Sequence, residues 1–405
     1  MGIFWENKKE GELILVFHIG SSFVGGAFFL TQKSGIPKIV FSIREPIALE
    51  ENIEADRFLS LTMKSLEIVV HRIHKAGIGA PKEIFCVLSS LWHVSQTRII
   101  KLEKNTPFLF TEKLALELIK KEQTLFEEEY SAKYSHPGVK TRLIELKNIK
   151  VMLNGYETPK PLNQKGSDLE MTVFIGMSDE EILGKIEKTI MEHFSFKKIN
   201  FSSFTFSSFA VVRDMHMRGG DFLLISVGGE ATSISMVKKN ILHESICFPL
   251  GLNFITRQVA SLSGSSLDEA ESLVSLFKDG HATKPVEKKI SPIIDKSKAE
   301  WLHKFQESLA NLSNDISVPA TIYLVVDKEM ADFFSETIKS EQFNQYTLTE
   351  SKFDVIFLGA KVLHELAQFE EDAIRDPFLV IDSIYINRFI TNPANPTKRG
   401  EIARI

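Results

Sequence analysis

Two short loops of glycine and small hydroxyl residues carry the backbone chemistry that most suggests a ligand. The first, Phe17-His18-Ile19-Gly20-Ser21-Ser22, closes the apolar run 13–17. The second, Ser226-Val227-Gly228-Gly229-Glu230-Ala231-Thr232, closes the run 222–225. Each leads into a second β-like run, 24–30 and 234–237. A strand, a Gly/Ser/Thr turn and a returning strand expose backbone N–H groups that can cradle phosphate. Two such hairpins facing one another would clamp a nucleotide from both sides. The candidate binding residues are Gly20, Ser21 and Ser22 in the first loop and Gly228, Gly229 and Thr232 in the second. The positions that would carry a metal-holding carboxylate are instead His18 and Ser226, so binding and hydrolysis are separate questions. Glu230 is the one carboxylate nearby, and a solvated turn residue is its simplest reading.

Other chemistry-bearing patterns lead to plainer readings. His71-x-x-His74 puts two imidazoles on one helical face, but the sequence shows no third ligand, and a surface pair is the expectation. The run Phe201 to Phe209 has aromatic spacing suited to a core rather than to stacked bases. Glu127-Glu128-Glu129 reads as a solvated helix end. No serine, cysteine or threonine sits in a nucleophile elbow. No catalytic residue and no metal ligand is assigned.

The elements that must position the loops follow from periodicity. Residues 13–17, 24–30 and 39–43 read as three strands, with turns at Gly20-Ser21 and Lys33-Ser34-Gly35. Residues 54–76 have helical periodicity, with Phe58, Leu61, Leu66, Val69, Val70 and Ile73 on one face, and 84–88 is a buried strand. From about 92 to 196 the pattern changes. Strand 94–102 precedes a helix capped by Thr111. Strand 143–153 ends in an Asn154-Gly155 hairpin turn. Strand 169–175 precedes a helix capped by Ser178 and running to Phe194. The opening arrangement then recurs: strands 222–225, 234–237 and 246–249, then a helix starting near Asn253. Residues 281–298, rich in Lys and Pro, read as an exposed loop. Helix 298–312, strand 322–326, strand 355–358 and a helix over 359–369 complete the second unit. Residues 376–390, opened by Asp376-Pro377, are apolar with Arg388 as the only cation. They read as core-packed rather than as a membrane-surface helix, which would be rich in Lys and Arg.

Bulk properties bound the rest. The chain has 405 residues, too many for one ordinary core. Hydrophobic content of 43%, charged content of 25% and a net charge of −5 are those of a soluble globular protein without a basic face for nucleic acid. Cys86 and Cys247 lie in apolar runs and read as buried free thiols of a reducing compartment. No secretory segment opens the chain and no run approaches the ~20 apolar residues of a membrane span. A cytoplasmic protein, peripheral to the inner face of the cell membrane at most, is expected.

The order of these motifs resembles the actin-like ATPase superfamily and, within it, the bacterial cell-division protein FtsA and the type IV pilus assembly protein PilM. His18-Ile19-Gly20-Ser21-Ser22-Phe23-Val24-Gly25 is similar to the family's D-I-G-[ST]-S-x-V-K loop, without its Asp and Lys. Ser226 to Ile234 is similar to D-I-G-G-G-T-T-D-I, with serine at both Asp positions. Pro249 to Thr256 resembles I-P-V-G-G-x-x-I-T. Glu269-Ala270-Glu271 with Phe277 to Gly280 resembles the Ala-Glu segment beside the adenosine, which adds Glu271 to the candidate binding residues. The family's Gly-Gly adenosine loop is replaced by Val325-Val326-Asp327-Lys328. Residues 143–177 are closest to the FtsA pattern of strand, Asn-Gly turn, Pro loop and final strand.

The resemblance implies an α/β, actin-like (ribonuclease H-like) two-lobed fold with an inserted α+β subdomain of FtsA/PilM type. The expected division is 12–81 for the N-terminal part of the first lobe, 82–196 for the insert, 197–390 for the second lobe with a return to the first, and 391–405 for a flexible tail. It implies ATP and Mg²⁺ as ligands. The missing carboxylates argue against hydrolysis, and crowding by Asp327-Lys328 where glycines would admit the adenosine leaves binding itself open. The expected role is a scaffold for a division or pilus machine, contacting protein partners and self-associating, with no nucleic acid. The alternatives are an active ATPase that polymerises with ATP and a non-polymerising peptide-binding module. A sugar-kinase relative would need an Asp general base that the sequence does not offer.

Overall fold

The first strands are short β-branched and aromatic runs that pair in hairpins because tight turns separate them. The computed structural model of the chain describes residues 11–134, 140–195, 198–215, 220–313, 317–340, 352–371 and 373–391. The expected tail beyond 391 therefore lies outside the described residues. In chain order, β1 (Leu13–Ile19), β2 (Phe23–Leu30) and β3 (Lys38–Pro46) precede α1 (Ala55–Lys75) and β4 (Glu83–Leu88). Then come β5 (Val94–Leu109), α2 (Glu112–Tyr134), β6 (Thr141–Leu153), β7 (Tyr156–Glu157), β8 (Lys165–Asp179) and α3 (Glu180–Met191). β9 (Asn200–Ser203) leads directly into α4 (Phe204–Met215). β10 (Phe222–Val227), β11 (Thr232–Lys238) and β12 (Ile241–Phe248) are followed by α5 (Leu252–Ser263), α6 (Leu267–Lys278) and α7 (Lys284–Ser313). β13 (Thr321–Val325), α8 (Ala331–Ser340), β14 (Asp354–Phe357), α9 (Ala360–Leu363), β15 (Gln368–Phe369) and α10 (Pro377–Tyr385) complete the order, with a π-helical turn over Ile386–Thr391.

Two sheets repeat one topology. The first runs β15-β3-β2-β1-β4-β9 and the second β12-β11-β10-β13-β14. In each, a three-stranded antiparallel meander is extended on its first strand's free side by two parallel strands. Parallel neighbours need a crossover, which α1 supplies in the first sheet. A third sheet, β5-β8-β6-β7, carries α2 on one side. Asn154 and Gly155, at φ 52° and 81°, make its tight hairpin, and Lys239-Asn240, at φ 51° and 63°, make the one between β11 and β12.

Between the two lobe sheets lie α4 and α10, whose residues share one core cluster with strands of both lobes. Every residue from Phe204 to Val212 is buried, so the phenylalanine run packs a core. Its serines are satisfied locally: the Ser207 and Ser208 hydroxyls donate to the carbonyls of Ser203 and Phe204. All of α10 is buried too. The Asp376 side chain caps it by accepting from the N–H groups of Phe378 and Leu379. The apolar 376–390 segment is thus core, sealed between lobes rather than laid on a surface.

Several local expectations change. Residues 284–313 form one helix, not an exposed loop. Ile290, Ile294, Trp301, Phe305 and Leu309 repeat on one buried face, and each buried side chain contributes about 1.5–3 kcal/mol against about 3 kcal/mol for the interior Pro292. The cap of α3 is Asp179, not Ser178, whose hydroxyl donates to the Trp92 carbonyl, and that helix ends at Met191. The helix expected over 359–369 shrinks to α9, after which β15 pairs in parallel with β3. Glu129 is not merely solvated, since both of its oxygens accept from Arg98. Cys86 is buried as expected, but Cys247 is exposed on β12, an edge strand.

Candidate functional site

The two glycine loops face each other and touch. Within each hairpin a loop N–H is already used: Gly20 donates to the Phe23 carbonyl at 3.0 Å and Gly228 to that of Ala231 at 2.9 Å. Across the cleft, Glu230 N–H donates to Ser21 Oγ at 3.2 Å, and Ser90 Oγ donates to Ser233 Oγ at 2.9 Å. A Cβ on Gly229 would lie 2.5 Å from the Ser21 carbonyl oxygen and 2.8 Å from Ser22 Cα. One on Gly228 would lie 2.5 Å from Ser21 Oγ. The glycines therefore let the two opposed backbones meet. Gly20 is held from the side, its carbonyl accepting from Trp92 Nε1 at 2.8 Å. The space left, lined by His18, Ser22, Ser89, Ser226, Ser233 and Phe378 among others, is about 20 Å³. That is room for a water molecule.

His18 closes the floor. Its Nδ1 lies 2.8 Å from Asp382 Oδ2 on α10, and both side chains are buried. Phe23, Phe204 and Phe378 box the imidazole at centroid distances of 5.4, 5.2 and 5.1 Å. The family pattern's Lys position is Gly25, where a Cβ would already be 3.1 Å from Leu379. Helix α10 thus fills the space that a lysine would need and supplies an acid opposite the histidine. Burial pushes the Asp382 carboxyl up to about 6, partly countered by the charge of His18 and its hydrogen bond. The folded chain then holds a proton between about pH 4 and 6 that the unfolded chain releases. Stability from this group is present at low pH and falls as pH rises through that window. Asp382→Asn, which keeps an acceptor for Nδ1, is expected to remove this slope and to leave the protein as stable as wild type or more so at pH 8. Melting temperatures taken from pH 4 to 8 check it; an unchanged slope would assign the dependence elsewhere.

Glu230 turns away from the cavity. Its two oxygens accept from Arg257 Nη1 and Nη2, each at 2.7 Å, and Oε1 also accepts from Asn253 Nδ2 at 2.7 Å. The same Arg257 reaches the first lobe, donating through Nε to the Glu50 carbonyl at 2.7 Å. The turn residue is buried and paired, neither solvated nor free to hold a metal. A second tie crosses at the adenosine-loop position. Arg44 of β3 donates to Asp327 at 2.6 Å and to Asp376 at 2.9 Å, and stacks over Phe23 at 3.7 Å. Burial raises the Asp376 carboxyl, and Arg44 opposes that rise.

Of the sequence-predicted residues, Gly20, Ser21, Ser22, Gly228 and Gly229 come together at the loop contact. Thr232 points the other way: its hydroxyl donates to the Leu250 carbonyl at 2.7 Å and accepts from Trp301 Nε1 at 3.0 Å. Glu271 stands exposed on α6 and is not among the residues lining the loop cavity. Sequence reasoning missed Asp382, Phe378, Arg44 and Arg257. A histidine replacing an acid at position 18 was the available signal for a compensating acid elsewhere, but nothing local pointed to α10.

No protein-family profile matches the chain, and no curated protein matches it by sequence. Among solved structures, it is similar to one described as the PilM–PilN type IV pilus biogenesis complex, at 13% identity and a TM-score of 0.58, with 93% of this chain and 98% of that chain covered. A Bacteroides thetaiotaomicron protein with an actin-like ATPase fold and unknown function aligns at 11% identity and a TM-score of 0.40, covering 93% of this chain and 96% of that one. The ethanolamine utilization protein EutJ from Carboxydothermus hydrogenoformans aligns at 9% identity and 0.40, covering 93% and 89%. The chain has the actin-like ATPase fold in its PilM-like form.

Proposed function

We propose that this protein is an actin-fold scaffold whose interlobe cleft is held shut by its own side chains, with ATP hydrolysis lost and nucleotide binding weak or absent. The observation that carries this reading is the direct contact of the two glycine loops around a cavity of about 20 Å³. The residues present do not fit a magnesium–triphosphate. No carboxylate is among those lining the cavity, and Mg²⁺ takes oxygen ligands in octahedral array. Phosphate would have to displace Ser21 from the Glu230 N–H. Calorimetric titration of the full chain with ATP and Mg²⁺ is expected to give no saturable heat. Micromolar affinity that depends on magnesium would overturn the reading.

The role we infer is in a membrane-associated machine, where the chain contacts protein partners. Similarity to a structure titled as a PilM–PilN pilus complex supports the pilus side of the pilus-or-division pair. Among the described residues no helix is long and apolar enough to cross a membrane, and the apolar α10 is committed to the core. Contact with a membrane is, in this reading, peripheral or through a partner.

A further inference from the structure

Glu145 of β6 is a buried carboxylate whose hydrogen-bond partners lie on the lobes. Its Oε2 accepts from the backbone N–H of Ser203 at 3.0 Å and from Ser203 Oγ at 2.7 Å. Its Oε1 accepts from the Tyr385 hydroxyl of α10 at 2.7 Å. We propose that Glu145 is a latch that seats the third sheet on the lobes, and that α10 couples this latch to the contact between the glycine loops.

The third sheet and α2 hold a hydrophobic cluster of their own, whose buried members run from Ile100 to Met177. A unit with its own core can shift as a body, so its seating depends on what it touches outside. A register shift between Leu143 and Glu145 lets Leu143 and Leu146 pack on that cluster while Glu145 meets the lobes. Ser203 stands where β9 becomes α4, and its hydroxyl also accepts from the Phe206 N–H at 3.2 Å. The carboxylate thus lies at the positive end of that helix. Hydrogen bonds to a charged acceptor are the strong ones, and a buried carboxylate stripped of them is costly. Beside the latch, the Phe206 ring lies 4.9 Å from that of Phe174 on β8 and 6.0 Å from that of Tyr385, centroid to centroid.

On α10, Asp382 precedes Tyr385 by three residues, which puts both on one face, and it holds His18 beneath the loops. Every residue of α10 is buried, so the helix shifts as a rod rather than yielding at one end. A second path leaves the same sheet. Ser178 Oγ of β8 donates to the Trp92 carbonyl at 2.6 Å, and Trp92 Nε1 donates to the Gly20 carbonyl at 2.8 Å. Both paths end at the first glycine loop, one at His18 and the other at Gly20. Lifting the third sheet therefore pulls on that loop at two points.

Hydrogen exchange of the full chain, resolved to single amides, tests this. The Ser203 N–H reports on the latch, and the Glu230 N–H, bonded to Ser21 Oγ, reports on the loop contact. Tyr385→Phe removes one hydroxyl and keeps the ring. It is expected to speed exchange at both amides about tenfold, the worth of one hydrogen bond to a charged acceptor, while the amides between β10 and β13 keep wild-type rates. Asp382→Ala, at the other end of the rod, should also speed Ser203, although Asp382 is hydrogen-bonded to His18 and not to Ser203 or Glu145. A wild-type rate at Ser203 in Tyr385→Phe would overturn the latch. Acceleration at Ser203 with Glu230 unchanged, or a wild-type rate at Ser203 in Asp382→Ala, would overturn the coupling. An equal rise between β10 and β13 would overturn both, since it marks a general loss of stability.

Discussion

Glu230→Ala is expected to cost about 3–5 kcal/mol of stability, the loss seen when one partner of a buried ion pair is removed. Arg257 would keep its place between the lobes with its bidentate acceptor gone, and Asn253 would lose its acceptor as well. The contrast that identifies the mechanism is the double variant Glu230→Leu with Arg257→Leu. Replacing both charges by apolar groups removes the uncompensated cation, so the double variant should recover most of the loss. Urea midpoints of Glu230→Ala and of the double variant, each against wild type, measure it. A Glu230→Ala variant within about 0.5 kcal/mol of wild type would mean that the pair behaves like an exposed surface bridge, and the picture of a latched cleft would fall with it.

A second large effect is expected at the loop contact. Gly229→Val should destabilise by roughly 3 kcal/mol or more, because its Cβ would lie 2.5 Å from Ser21 O and 2.8 Å from Ser22 Cα. Both are backbone atoms of the opposite lobe, and neither can step aside without shifting a strand. The internal control is Gly184 on α3, where a Cβ would meet nothing within 4 Å. Gly184→Ala should stabilise by about 0.5–1 kcal/mol through helix propensity. If Gly229→Val melted with wild type, the loops would have to be further apart in solution, with space for a ligand.

Much of the architecture was readable because it is local. The hairpins depend on alternating apolar runs and on turns such as Asn154-Gly155 and Lys239-Asn240, whose positive φ angles those residue types tolerate. The recurrence of meander and helix pointed to two related units, and the structure gives their sheets one common strand order around the first strand. Misreadings came where local rules met a stronger tertiary term. Pro292 and the lysines around it suggested a loop, yet the apolar stripe of α7 decided for a helix. Gln368 and Phe369, read as helix, instead found an open strand edge at β3.

By itself the sequence determined where the two glycine loops are, that each is a strand–turn–strand, and that neither carries the acid its pattern calls for. Those are properties of adjacent residues. Only the tertiary structure decided what those positions meet. His18 meets Asp382 across 364 positions of chain, Ser21 meets Glu230 across 209, and Arg44 meets Asp327 across 283. Which way Glu230 turned was equally invisible, since a carboxylate follows the strongest cation within reach and Arg257 lies 27 positions away on α5. Partners so remote leave no periodic trace, because periodicity records the face a residue presents and not what the fold brings against it.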